Sequence, residues 1–178
     1  AFRNNLKSDE TPAGKIFLTA GLGGMSGAQP KAGNITGCIT VCAEVNGNAA
    51  KKRYTQGWVD VLIYDFEELV NRVKQVQQNK ETTSIAYVGN VVELWERFYD
   101  NGIFVHVGSD QTSLHNPYAG GYYPGGLSCD KSNRMMRENP ERFKQKVHES
   151  LIRQAAAINK HSAKGTYFFD YGNAFLLE

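Results

Sequence analysis

A glycine-rich segment near the start of the chain has residue types and spacing that could hold a phosphate group. Residues 21–27 read Gly-Leu-Gly-Gly-Met-Ser-Gly and follow a short apolar run at 15–20. Glycines permit a tight turn and let backbone N–H groups approach a pyrophosphate, whose charge the N-terminus of a following helix favours. Ser26 stands where the dinucleotide pattern G-x-G-x-x-G has its third glycine, so a purely structural turn stays open. The sequence lacks G-x-x-x-x-G-K-[ST], which disfavours an ATPase or kinase of that type.

A carboxylate stands where the ribose of a dinucleotide would need one. Glu44 lies at the end of the apolar run 38–45, about twenty residues after the glycine segment. A carboxylate there accepts hydrogen bonds from ribose hydroxyls and repels a 2′-phosphate, which favours NAD over NADP. An exposed glutamate at a strand end is the structural alternative. The basic run Lys51, Lys52 and Arg53 keeps NADP open, although so short a run is most often a solvated loop.

The elements that must position these residues alternate along the chain. Short apolar runs predict strands, and helical spacing with capping residues such as Asp65 and Pro140 predicts helices. The predicted strands are 15–20, 38–45, a short one within 58–64, 83–88, 103–107 and 166–170. The predicted helices are a short one from Pro30, then 65–79, 91–100 and 139–160, with a polar loop at 46–57 and a long loop at 108–129.

This alternation predicts an α/β fold, a doubly wound and mostly parallel sheet with helices on both faces (Rossmann-like). Ligands of such sheets bind at the carboxyl ends of the strands, at the switch point of the strand order. The glycine segment and Glu44 both follow predicted strands, so the two features are expected to meet at one edge. A loop as long as 108–129 inside a compact domain is usually functional.

Composition sets the broad class of the protein. The chain has 178 residues, of which 41% are hydrophobic and 21% charged, as expected for one globular domain. A net charge of +2 gives no electrostatic case for nucleic acid or for a membrane surface, and no apolar window approaches the ~18 residues of a membrane span. Three cysteines, an odd number, favour reduced thiols inside the cell. Both ends are expected to be boundaries within a larger protein.

Five segments, in order over nearly the whole chain, resemble the urocanase (urocanate hydratase) family. The glycine loop is Leu-Thr-Ala-Gly-Leu-Gly-Gly-Met-Ser-Gly-Ala-Gln-Pro at 18–30, and Val-Gly-Asn-Val follows at 88–91. Further matches are Asp-Gln-Thr-Ser-Leu-His-Asn-Pro at 110–117, Gly-Tyr-Tyr-Pro at 121–124 and Phe-Asp-Tyr-Gly-Asn at 169–173. Ordinary dehydrogenases do not share these elements.

The resemblance implies a lyase of histidine degradation that adds water to urocanate and gives imidazolonepropionate. Its NAD is tightly held and acts as an electrophile rather than as a hydride carrier, while the protein supplies binding and orientation. Family enzymes are much longer, cytoplasmic and commonly homodimers. The resemblance therefore implies an NAD-binding domain at 15–171, after a leader at 1–14 and before a continuing segment at 172–178. It also implies that this chain folds, binds NAD weakly or partially and does not turn over urocanate without the remaining segments.

The family's cofactor positions carry over to fourteen residues. They are Gly24, Met25, Ser26, Glu44, Asn90, Val91, Gln111, Thr112, Ser113, Leu114, His115, Tyr122, Tyr123 and Tyr171. For several of them a structural role stays open. Asn90 could cap the helix that follows it, the polar residues after Asp110 could form a turn, and the tyrosines could pack the long loop. A basic position that the family often has after the ribose acid falls near Ala49 and does not carry over.

The remaining reactive residues are interpreted as structural. His106, His148 and His161 have no visible partner in the sequence, and Cys38 and Cys42 are expected in the core. Cys129 lies in the long loop but is not a nucleophile, because the family's essential cysteine and the residues that receive urocanate belong to other segments. No catalytic residue is therefore assigned within this chain.

Two other functions compete with this interpretation. One is the cofactor domain of a hydride-transferring NAD dehydrogenase, which would need a substrate domain for which 178 residues leave no room. The other is a non-catalytic NAD-sensing module. Neither explains the segments at 110–117 and 169–173.

Overall fold

Parallel strand pairing brings the chemically interesting ends of the strands to one edge of a single sheet. The computed structural model describes residues 6, 9–24, 26–110 and 116–170. Within these residues six strands form one sheet, and every pair is parallel. The strands are β1 Ile16–Ala20, β2 Ile39–Glu44, β3 Val61–Ile63, β4 Thr83–Val88, β5 Val107–Asp110 and β6 Tyr167–Asp170.

The strand order is β3-β4-β2-β1-β5-β6, so the chain starts in the middle of the sheet. From β1 it moves to β2 and outward to β3 and β4, then crosses back to add β5 on the other side of β1. The direction of winding therefore reverses between β1 and β5, which is the switch point at which open α/β sheets bind ligands. The predicted doubly wound fold is confirmed.

Six helices connect these strands in the described part of the chain. They are α1 Gln29–Thr36, α2 Gly47–Thr55, α3 Phe66–Gln78, α4 Val91–Asp100, α5 Cys129–Glu138 and α6 Pro140–Ser162. Side-chain caps fix several starts: Asp65 accepts a hydrogen bond from the Glu68 N–H at 2.9 Å, and Asn139 accepts one from the Arg142 N–H at 3.1 Å. No described helix is both long enough and apolar enough to cross a membrane.

Helices cover both faces of the sheet because successive strand residues point to opposite sides. Val41 of β2 lies in the larger core, which α3, α4 and α6 cover, whereas its neighbour Cys42 lies in a smaller core with Ala50 of α2. The second face also carries α1, whose Gly33 leaves no space for a side chain against Thr40 of β2. Glycine in the middle of α1 therefore permits the close approach of helix and strand.

Three of the predicted elements differ from the structure. The segment 46–57, predicted as a loop, contains the helix α2, since the Asn46 side chain accepts hydrogen bonds from the N–H groups of Asn48 and Ala49 at 3.0 and 3.3 Å. The strand predicted at 103–107 is displaced, because pairing with β1 and β6 runs through Val107–Asp110. The loop expected at 108–129 is correspondingly shorter, and α5, which was not predicted, begins at Cys129.

Gly108 provides a test of this packing. A methyl group added to Gly108 would overlap the fully buried ring of Trp95 on α4. We expect Gly108→Ala to lower the free energy of unfolding by about 1–3 kcal/mol, because a packed core yields little to added volume. Urea unfolding measures the change.

Gly47→Ala is the matched control. A methyl group there makes only ordinary contacts, at 3.5 Å from Val88, in the first turn of α2. The control should change stability by less than about 0.5 kcal/mol. Equal stability of the two variants would contradict the packing of α4 on β5.

Candidate functional site

A cavity opens at the carboxyl ends of β1, β2 and β4, where the sequence predicts a ligand site. Its volume is about 430 Å³. One wall is the described part of the glycine loop, the floor is the end of β2, and the opposite wall is the segment 120–123. The lining residues are Ala20, Gly21, Gly23, Gly24, Ser26, Ala43, Glu44, Val45, Gly89, Asn90, Val91, Gly120, Gly121, Tyr122 and Tyr123.

The glycine loop turns sharply away from the sheet. Gly21 has φ +88°, a left-handed conformation that favours glycine, and its N–H donates to the Ala43 carbonyl at 2.8 Å. Gly23 and Gly24 are exposed, and a methyl group added to either would meet no atom within 4 Å. The loop therefore presents bare backbone to the cavity.

Glu44 ties this loop to the sheet and also lines the cavity. One carboxylate oxygen accepts a hydrogen bond from the Leu22 N–H at 2.7 Å, and the other accepts one from the Asn46 N–H at 2.8 Å. A carboxylate offers about four acceptor positions, so two remain after these two bonds. Glu44 thus combines a structural contact with spare acceptor capacity beside the cavity.

Arg53 of α2 contacts the glycine loop from outside the cavity. Its Nε donates to the Leu22 carbonyl at 3.0 Å, and one terminal nitrogen donates to the Gly23 carbonyl at 2.6 Å. The other terminal nitrogen donates to Gln56 Oε1 at 3.1 Å. The expectation that Lys51, Lys52 and Arg53 form a solvated loop is therefore wrong for Arg53, which lies on a helix and is committed to protein acceptors.

Asn90 joins two walls of the cavity. Its Oδ1 accepts a hydrogen bond from the Val92 N–H at 2.9 Å, which caps α4, and its Nδ2 donates to the Tyr123 carbonyl at 2.7 Å. The capping role that the sequence left open is present. Since both polar atoms of the side chain have protein partners, Asn90 contributes to the cavity mainly by fixing the position of the segment around Tyr123.

A buried chain of hydrogen bonds supports the opposite wall. The Tyr122 hydroxyl donates to Gln154 Oε1 at 2.7 Å, and Gln154 Nε2 donates to Asp110 Oδ2 at 2.6 Å. All three residues are at most 1% exposed. Burial raises the pKa of the Tyr122 hydroxyl well above its usual value, with the Asp110 charge acting in the same direction, so Tyr122 stays a donor. These hydrogen bonds connect α6 to Asp110, the last residue of β5.

Tyr123 connects the cavity to α5. Its hydroxyl donates to Asn133 Oδ1 at 2.9 Å, and Asn133 Nδ2 donates to the Cys129 sulfur at 3.5 Å. Burial is the main cause that raises the pKa of Tyr123. Cys129 is the first residue of α5 and is not among the residues that line the cavity.

The histidines and the other cysteines occupy structural positions. His106 accepts a hydrogen bond from the Ile16 N–H through Nδ1 at 3.0 Å, and burial lowers its pKa to about 4. His161 is buried beside the Trp95 carbonyl, at 2.9 Å from Nε2, and burial lowers its pKa. Cys38 and Cys42 are buried free thiols whose pKa values burial raises, as expected for core residues. His148 is exposed on α6.

Seven of the fourteen predicted site residues lie together around the cavity. Gly24, Ser26, Glu44, Asn90, Val91, Tyr122 and Tyr123 line it. The other seven, Met25, Gln111, Thr112, Ser113, Leu114, His115 and Tyr171, lie outside the described residues.

Sequence reasoning missed two residues that hold the walls in place, Arg53 and Gln154. A basic residue nine positions after a strand-end carboxylate was a visible signal for Arg53 once 46–57 is known to be helical. Gln154 gave no signal, because a glutamine within a long helix has no feature that marks it as buried.

The lining groups suit binding more than proton transfer. Among the described lining residues the titratable side chains are Glu44, Tyr122 and Tyr123, and each already has a protein hydrogen-bond partner. Backbone N–H groups, one carboxylate and two aromatic rings are the groups that hold the phosphates, the ribose and the flat ring of a nucleotide.

Comparison with known proteins gives consistent matches along the whole chain. The family model described as the urocanase Rossmann-like domain matches residues 1–178. The chain is 60% identical over 167 residues to the probable urocanate hydratase of Caenorhabditis elegans, covering 93% of this chain and 25% of that protein. It is 49% identical over 174 residues to the urocanate hydratase of Mus musculus and to that of Homo sapiens, covering 95% of this chain and 26% of each. The chain thus spans about a quarter of the length of these relatives.

The buried hydrogen-bond chain gives a direct test of the opposite wall. Tyr122→Phe leaves the Gln154 carbonyl oxygen buried without its donor, so we expect the free energy of unfolding to fall by about 1–3 kcal/mol. Urea unfolding measures this loss. The control Tyr64→Phe removes a hydroxyl from a tyrosine that is 58% exposed, and its stability should change by less than about 0.5 kcal/mol. Equal effects of the two substitutions would contradict the buried chain.

Proposed function

Because the chain belongs to the urocanase family, we propose that it is the nucleotide-binding domain of a urocanate hydratase and that its nucleotide is NAD. The observation that carries the proposal is the meeting of the glycine loop and Glu44 around one cavity at the carboxyl ends of β1 and β2. The family's glycine segment and its ribose acid are far apart in sequence, and the fold brings them to one site.

The glycine loop would hold the pyrophosphate. In the described part of the chain the N–H groups of Gly23 and Gly24 make no hydrogen bond, and both glycines line the cavity. Two unengaged N–H groups at a concave surface suit phosphate oxygens, and the absence of side chains allows these oxygens to approach. The short turn Ser26–Ala28 then leads into α1, whose N-terminus adds a favourable field.

Glu44 would hold the adenosine ribose. Its two remaining acceptor positions can receive ribose hydroxyls while the Leu22 and Asn46 N–H groups keep the carboxylate in place. The same negative charge opposes the 2′-phosphate of NADP. Arg53, a basic side chain that contacts the glycine loop, is committed to the Leu22 and Gly23 carbonyls and to Gln56.

The part of the reaction that this chain supports is binding and orientation. When bound, NAD supplies an electron-accepting pyridinium ring, and the protein positions it. Tyr122 and Tyr123 line the cavity, and the hydrogen bonds to Gln154 and Asn133 fix their orientations. These residues would exclude water from one side of the nucleotide.

The remaining parts of the proposal follow from the length of the relatives. The groups that receive urocanate and add water would lie largely in the other three quarters of a full-length enzyme, and we expect that enzyme to be a homodimer. We expect this chain to bind NAD without consuming urocanate, which loss of the ultraviolet absorbance of urocanate would detect. Free thiols at Cys38, Cys42 and Cys129 accord with a cytoplasmic location.

Titration of the chain with NAD by calorimetry tests the site. Gly24→Ala places a methyl group in the open space where the pyrophosphate would lie, so we expect NAD affinity to fall by about tenfold with no change in Tm. Gly47→Ala adds the same methyl group outside the cavity and should bind NAD like the wild type. No NAD binding by the wild type, or equal affinities of the two variants, would contradict the proposal.

The choice between NAD and NADP tests Glu44 separately. Glu44→Gln keeps the shape of the side chain and one carbonyl oxygen but removes the charge. We expect weaker NAD binding and a smaller preference for NAD over NADP, because the repulsion of the 2′-phosphate is lost. Competition titrations with both nucleotides measure the ratio. An unchanged ratio would show that Glu44 does not face the 2′ position.

A further inference from the structure

The guanidinium of Arg53 lies against the outer side of the glycine loop, opposite the cavity. We propose that Arg53 is a positioning residue that fixes the direction of the two backbone N–H groups which receive the pyrophosphate. This inference rests on the proposed nucleotide-binding function and adds a residue that the sequence comparison with family motifs did not include.

Peptide geometry links the contacts of Arg53 to the cavity. In a trans peptide the C=O and the N–H of one unit point in opposite directions. Arg53 Nε donates a hydrogen bond to the Leu22 carbonyl at 3.0 Å. The N–H of the same peptide unit, which belongs to Gly23, therefore points away from Arg53. A terminal nitrogen of Arg53 donates a hydrogen bond to the Gly23 carbonyl at 2.6 Å, so the Gly24 N–H points away from Arg53 as well.

These two units are the ones whose N–H groups stay unengaged. Glu44 accepts a hydrogen bond from the Leu22 N–H, so the preceding peptide unit is bonded within the protein. The Gly23 carbonyl also accepts a hydrogen bond from the Gly27 N–H at 3.2 Å, beside the one from Arg53. Without Arg53 the Leu22–Gly23 peptide would keep no hydrogen bond to the described residues, and the Gly23–Gly24 peptide would keep only the bond from the Gly27 N–H. Both peptides could then rotate more easily, since glycine has wide conformational freedom. Rotation would turn a carbonyl oxygen toward the phosphate and replace attraction by repulsion.

Gly27 makes room for this contact. A methyl group added to Gly27 would lie 2.6 Å from Arg53 Nε and 2.9 Å from the central guanidinium carbon. The backbone of Gly27 is not in the left-handed region, so its conformation alone would accept alanine. Gly27 is therefore required by the neighbouring guanidinium, and Gly27→Ala should displace the arginine without placing any atom in the cavity.

Trp58 holds the arginine from the other side. The guanidinium carbon lies 5.5 Å from the centre of the Trp58 ring, and Gln56 accepts from the remaining terminal nitrogen. The planar guanidinium therefore keeps one orientation, with its fork toward the loop. Lysine carries the same charge but lacks this rigid fork.

The experiment compares ligands with and without a pyrophosphate on the full 178-residue chain. NAD and ADP contain a pyrophosphate, whereas adenosine contains only the part expected at Glu44. The variants are Arg53→Gln, Arg53→Lys, Gly27→Ala and the double variant Gly27→Ala/Arg53→Gln. Lys52→Gln is the control, because it removes the same charge from an exposed neighbour on α2. Calorimetry measures the affinities for NAD and ADP, and an NMR titration measures the affinity for adenosine.

We expect Arg53→Gln to lower the affinity for NAD and for ADP by about tenfold, since two charge-assisted hydrogen bonds that fix the loop are lost. The affinity for adenosine should stay unchanged. Arg53→Lys and Gly27→Ala should each lower the affinity for NAD and ADP in the same way. The double variant should bind these ligands no more weakly than Arg53→Gln does. Lys52→Gln should match the wild type. If Arg53→Gln does not fold, Gly27→Ala carries the same comparison.

Each other outcome is decisive. Wild-type affinity for NAD in Arg53→Gln would overturn the positioning role. Wild-type affinity in Arg53→Lys would also overturn it, because a positive charge alone would then be enough for NAD binding. An equal loss for adenosine would also overturn it, since a general structural defect would then explain the effect. Failure of the wild type to bind NAD and ADP would instead overturn the proposed function, and the positioning role with it.

Discussion

The hydrogen bond from the Leu22 N–H to Glu44, at 2.7 Å, joins the glycine loop to the end of the neighbouring strand. Because this bond joins the backbone of the loop to a side chain at the floor of the cavity, it fixes the position of the loop over the end of β2. Arg53 then holds the next two peptide units from outside. The loop is thus fixed on both sides before any nucleotide arrives, which lowers the entropy that binding must remove.

The opposite wall is held by a different kind of contact. Tyr122 and Tyr123 lie in a segment without regular structure, and their positions depend on the half-buried Asn133 of α5, the buried Gln154 of α6 and the Asn90 amide. Buried polar networks specify one arrangement only when every member has a partner. Gln154 meets this requirement by accepting from Tyr122 and donating to Asp110. The cavity therefore has one wall held through its backbone by the side chains of Glu44 and Arg53, and one wall held mainly through its own tyrosine side chains.

Regular apolar patterns predicted most of the fold, and buried polar residues account for what they missed. The helix Val91–Asp100 was predicted at its observed ends, because Asn90 caps a strongly periodic segment. Strand β5 was displaced, since its buried Ser109 and Asp110 look like loop residues in a sequence. Helix α5 was missed because Ser132 is its one buried residue. In the site, Glu44 was found by its spacing from the glycine loop, whereas Gln154 acts through a tertiary contact that no spacing encodes.

The central claim is that NAD binds against the glycine loop of this chain. An NMR titration of the ¹⁵N-labelled chain with NAD tests this claim at the level of single amides. The account predicts that the Gly23 and Gly24 amide signals shift strongly and saturably, while that of Gly102, at the end of α4 and outside the cavity, stays in place. Absence of shifts at Gly23 and Gly24, or shifts concentrated elsewhere on the sheet, would contradict it.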